Sequence, residues 1–107
     1  MEVELKECEI QGSCVEWFRA NFPEWLIFSV PNEACFKRKQ YFDSLGLLNG
    51  VSDTIAVKEG EVLFIEFKRD GGKQSNEQVN FQQKVEALGH RYYVIKNLDD
   101  FKEIWIN

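Results

Sequence analysis

The stretch VSDTIAVKEGEVLFIEFK, residues 51–68, limits the fold more than any other part of the chain. Two runs rich in β-branched and aliphatic residues, 51–57 and 62–68, flank Lys58-Glu59-Gly60-Glu61, with glycine available for a tight turn. That pattern specifies an antiparallel hairpin. A hairpin alone is marginal in water, so other segments must cover it.

Helical segments are available for that purpose. Ile10, Cys14, Trp17 and Phe18 fall at helical spacing within 5–21, and Asn21-Phe22-Pro23 closes the helix. Residues 25–30 (WLIFSV) read as a strand ended by Pro31-Asn32, and 33–45 as a second helix stopped by Gly46. After the polar loop RDGGKQ, a helix is expected from Ser75 to Leu88, with Gly89 at its end. A strand at 91–96 and a short helix in LDDFKEIWI complete the chain. Strands interleaved with helices predict an α/β fold, a mixed sheet with helices packed on its faces.

A length of 107 residues suits one core, and 44% hydrophobic residues can fill it. Without repeats or linker-like tracts, residues 1–107 read as a single domain. No apolar run approaches the roughly 18 residues of a membrane span. The charged N-terminus, MEVELKECEIQ, lacks a signal-peptide core, so a cytoplasmic protein that is not exported is expected. Cys8, Cys14 and Cys35 are odd in number and form no C-x-x-C pair, which suits reduced thiols. With His90 as the one histidine, a zinc site has too few ligands; His90 reads as a turn or surface residue. A net charge of −5 argues against a general nucleic-acid binder, but leaves room for a local cationic face or an acidic site offset by bound cations.

Four segments place polar residues in apolar registers. Asp53 shares a strand face with Val51, Ile55 and Val57, where a strand-end cap is the plain alternative. Glu66 and Lys68 share the face of Val62 and Phe64, about 7 Å apart along the strand. A structural ion pair would explain those two alone. Asp53 on the neighbouring strand, however, makes two carboxylates for one ammonium, an imbalance relieved by a raised pKa or a metal ion. Gln78 falls in the apolar stripe of Phe81, Val85 and Leu88, and also completes a capping box with Ser75. Glu7 and Gln11 border the stripe of Cys14 and Phe18, with a solvated helix face as the alternative.

Gly50-Val51-Ser52-Asp53, followed by Glu66-Phe67-Lys68, resembles the G-x-x-D…E-x-K core of the PD-(D/E)XK nuclease superfamily. Serine stands at position 52 where the superfamily name has proline. Glu7-x-x-x-Gln11, VPN at 30–32, GLLNGVSD at 46–53, FIEFKR at 64–69, GKQSNEQ at 72–78 and GHRYYVI at 89–95 occur in the order expected of the VRR-NUC (virus-type replication-repair nuclease) domain. The resemblance covers about residues 5–101 and is similar to stand-alone phage and prophage members. It implies a restriction-endonuclease-like core and a Mg²⁺- or Mn²⁺-dependent, structure-selective DNA endonuclease leaving 5′-phosphate and 3′-hydroxyl ends.

Carried over, the resemblance makes Asp53 and Glu66 metal ligands, with the Phe67 backbone carbonyl as a third. Lys68 becomes the catalytic lysine, and Gln78 its support or that of the attacking water. Glu7 becomes an accessory acid, with Glu9 as its rival. Gln11 positions the phosphate or the helix. DNA would be gripped by Lys37, Arg38 and Lys39, with Lys58, Arg69 and Lys73; for the KRK run, an ordinary solvated helix face is the alternative. Stand-alone members imply a homodimer acting on branched DNA such as a four-way (Holliday) junction. Tyr41-Phe42 and the tail FKEIWIN are candidates for its interface or for ordinary core. The rival functional readings are a catalytically silent DNA-binding module of the same fold and a small interaction protein with a structural carboxylate–lysine cluster.

Overall fold

The structure is a computed structural model that describes residues 6–31, 45–46 and 48–105. Its elements are α1 (Glu7–Asn21), β1 (Leu26–Ser29), β2 (Thr54–Lys58), β3 (Glu61–Phe67), α2 (Asn76–Ala87), β4 (Arg91–Ile95) and α3 (Leu98–Trp105). The helix expected at 33–45 and the cationic run 37–39 lie outside the described residues, apart from Leu45.

The hairpin forms the centre. β2 and β3 pair antiparallel from Thr54↔Ile65 to Lys58↔Glu61, and Gly60 takes the positive φ of +79° that the turn requires. β1 adds antiparallel to β2, and β4 adds parallel to β3 after the crossover through α2. The result is a mixed four-stranded sheet in the order β1-β2-β3-β4.

Strand alternation splits the apolar residues between two layers. Leu63, Ile65 and Phe67 of β3 pack with Ala56, Ile27 and Ile95 against Ile10, Cys14 and Phe18 of α1 and Phe101 of α3. Trp25 and Trp105 close this layer with edge-on contacts to Phe18. Of the tail aromatics, Phe101 is core and Trp105 is half-buried against it. On the opposite face a smaller cluster joins Phe81 and Val85 of α2 to Tyr92, with Phe64 and Val51 at its margin.

β2 starts three residues later than the sequence reading placed it. The Ser52 hydroxyl donates to the Thr54 carbonyl at 3.1 Å; the Asp53 carbonyl still accepts the Val30 N–H at 2.7 Å, but toward β3 Asp53 bonds through its side chain.

Candidate active site

Lys68 sends its backbone N–H to Ile95 of β4 at 3.0 Å. Backbone donors alternate sides along a strand, so the preceding N–H, that of Phe67, points at β2. The β2 ladder has ended there, and Asp53 Oδ2 accepts this N–H at 2.9 Å. The same register puts Asp53 opposite Glu66, one step beyond Thr54↔Ile65. The Phe67 carbonyl lies on the strand edge that faces Asp53.

Glu66 is only 1% exposed. Its Oε2 accepts the Tyr92 hydroxyl at 3.1 Å, and its carboxyl group lies within hydrogen-bonding reach of Asp53. Burial, and then the adjoining Asp53 carboxylate, push its pKa up to about 8; the Lys68 ammonium and the Tyr92 hydroxyl pull the other way. Near neutral pH the Glu66 carboxyl of the metal-free protein thus keeps its proton. Burial and the Glu66 charge push the Tyr92 phenol upward, which keeps it a donor.

Lys68 is half-buried and close enough to bias Glu66 by its charge, yet among the described residues no ion pair joins it to either carboxylate. With both carboxyl groups ionised, one detached ammonium leaves the site short of positive charge. Its donors are oxygen only, which fits a hard divalent cation such as Mg²⁺ or Mn²⁺.

The other expected site residues divide. Glu7 is half-buried in the first turn of α1 and Glu9 is exposed, so the helix phase favours Glu7 over its rival. α1, however, packs on the Leu63–Ile65–Phe67 face, whereas Glu66 looks toward α2. Among the described residues no group of three His, Cys, Asp or Glu side chains is placed to hold a metal, so Glu7 does not join the pair. Gln11 is half-buried one turn further along α1.

Gln78 has a structural task. Its Oε1 accepts the Ser75 N–H at 2.8 Å while its own N–H donates to Ser75 Oγ at 3.2 Å, a complete capping box. Arg69 and Lys73 are exposed in the loop that follows Lys68, where Gly72 N–H closes a turn onto the Arg69 carbonyl at 2.9 Å. Lys58 sits at the far end of β2, 3.8 Å from Glu61 and over the Trp25 ring, away from the carboxylates. His90 is exposed beside β4, as expected of a turn residue.

Gly50 sets the loop that carries Asp53. It holds φ +86°, and a Cβ there would overlap the Glu77 carbonyl and lie 2.8 Å from the Gln78 nitrogen. Only glycine lets this loop lie against the start of α2. The sequence reading did not single out Tyr92, Gln74 and Gln82, which stand behind Glu66 in a chain of hydrogen bonds. Tyr92 and Gln74 lie within the GHRYYVI and GKQSNEQ segments, but linking them to Glu66 required knowing that β4 lies beside β3.

No family model matches the chain, and no curated protein matches it. A solved structure described as a VRR_NUC domain protein superimposes with a TM-score of 0.76 at 19% identity, over 95% of this chain and 86% of that one. The chain has the VRR-NUC fold. At this identity the likeness speaks for architecture alone. In the VRR-NUC fold of this chain, the carboxylate pair occupies the sheet end where β2 and β3 diverge, beside the loop carrying Arg69 and Lys73.

Proposed function

We propose that the chain is a metal-dependent nuclease that hydrolyses DNA phosphodiester bonds. The observation that carries this reading is the contact between the Asp53 and Glu66 carboxyl groups on one sheet face, with Lys68 near but unpaired to them. A Mg²⁺ or Mn²⁺ ion held by these two carboxylates, with the Phe67 carbonyl as an added donor, would neutralise phosphate charge and make a bound water more acidic.

The residues of the chain do the rest. The Phe67 N–H fixes Oδ2 of the Asp53 carboxylate and leaves Oδ1 for the cation. Lys68, on its short tether beyond β3, donates to a non-bridging phosphate oxygen or to the attacking water. Arg69 and Lys73 hold flanking phosphates, which makes binding salt-sensitive. The proposed substrates are branched duplexes, four-way junctions among them, taken by a homodimer whose two sites match the junction's symmetry.

Cleavage of plasmid, flap and four-way junction substrates with Mg²⁺, Mn²⁺ or chelator tests this reading. Metal-dependent cutting that falls at least 100-fold in Asp53→Asn and Lys68→Ala is expected. DNA that is bound but left uncut under every metal condition would replace the nuclease with a silent DNA-binding module.

A further inference from the structure

Behind Glu66 runs a hydrogen-bond chain with an assigned direction. Tyr92 Oη–H donates to Glu66 Oε2 at 3.1 Å. Gln74 Nε2 donates to the Tyr92 oxygen at 3.3 Å and to Gln82 Oε1 at 3.0 Å. An amide nitrogen carries two hydrogens, so Gln74 can serve both acceptors at once. Tyr92 is 7% exposed and its ring packs beside Phe81, at a centroid distance of 6.2 Å, so the phenol cannot swing away without opening the α2 cluster.

We infer that Tyr92 is a positioning residue for Glu66: it occupies one carboxylate oxygen and so leaves the other to face Asp53 and the cation. Gln74 holds the phenol in register and is itself held by Gln82 of α2. A carboxylate with one oxygen tied to a rigid donor loses the freedom to rotate and to ligate through both oxygens. Orientation of this kind, imposed by a group that never touches the metal, typically governs affinity by about 10–100-fold. Gln74 also follows Lys73 directly, so the same chain ties the cationic loop to the orientation of Glu66.

The inference rests on the reading of Asp53 and Glu66 as metal ligands, and its test separates the two. Isothermal calorimetry with MnCl₂ is run on the full wild-type chain and on Asp53→Asn, Tyr92→Phe and Gln74→Ala. Wild-type binding lost in Asp53→Asn supports the site. A Tyr92→Phe affinity lowered about 10–100-fold, with a smaller loss in Gln74→Ala, then supports the positioning role. Should Tyr92→Phe fail to melt cooperatively in chelator, Gln74→Ala decides alone, because its side chain lies outside both apolar clusters. Wild-type Mn²⁺ binding with both variants within twofold would overturn the inference and leave the site intact. No Mn²⁺ binding by the wild type would sink the site itself.

Discussion

At the scale of single residues, Glu66 is held against its own chemistry. Its carboxyl group is buried beside another, and its pKa stands at about 8 against an ordinary 4.5. The folded metal-free protein therefore keeps a proton that the unfolded chain releases. Its contribution to stability is complete below about pH 4.5 and is lost as the pH climbs to about 8. At about 1.4 kcal/mol per pH unit between those values, the loss is on the order of several kcal/mol. Thermal melts in chelator should show the midpoint falling from pH 5 to pH 8.5. Glu66→Gln should flatten that slope, and saturating Mn²⁺ should restore the wild-type midpoint at the alkaline end. A melting midpoint that does not change with pH would mean that the buried carboxyl is already compensated. Asp53 carries a second duty that the sequence did not disclose, because it accepts the Phe67 N–H. Asp53→Ala would strand that donor at a cost of about 1–3 kcal/mol, whereas Asp53→Asn keeps an acceptor and isolates the charge.

At the scale of elements, the start of α2 was the most ambiguous part of the sequence. Gln78 fits both an apolar stripe and a capping box, and spacing alone does not choose between them. The structure shows both bonds of the box, so the carbonyl end of this side chain is committed to Ser75. Ser75→Ala and Gln78→Ala should each lower stability by about 1 kcal/mol in urea melts, and both should cut DNA within a few-fold of wild type. Loss of cleavage in Gln78→Ala alone would give its amide nitrogen a part in the chemistry. The hairpin was legible because its two runs, its glycine turn and its alternation all agree. The pairing of Asp53 with Glu66 followed from that register. The start of β2 was not legible, since side-chain bonds from Ser52 and Asp53 displace the ladder there. Tyr92 was hidden for a different reason: it reaches Glu66 across a parallel pairing between segments 26 residues apart, a distance over which local pattern carries no information.

At the scale of the whole molecule, the acidic balance of −5 and the proposed DNA substrate pull in opposite directions. Arg69 and Lys73 are exposed in the loop that follows Lys68, while Lys58 is engaged by Glu61 and Trp25 at the other end of the sheet. The charge proposed to meet DNA is thus local, and a divalent ion would add to it where it is needed. The overall likeness to a VRR_NUC domain protein makes the α/β layering secure; the helix faces expected from Cys14, Phe18, Phe81 and Val85 are buried, whereas Leu88, expected on the same stripe, is exposed at the C-cap of α2. No helix among the described residues is long and apolar enough to cross a membrane. What the fold does for chemistry is narrower: it brings two acids to one sheet end and supplies too little positive charge to keep both ionised near neutral pH. Crystals soaked in MnCl₂ and measured for anomalous scattering examine that deficit most directly. A single peak about 2 Å from carboxyl oxygens of both Asp53 and Glu66 is the predicted result. A map with no peak between them, from crystals that bind Mn²⁺ elsewhere or not at all, would contradict it.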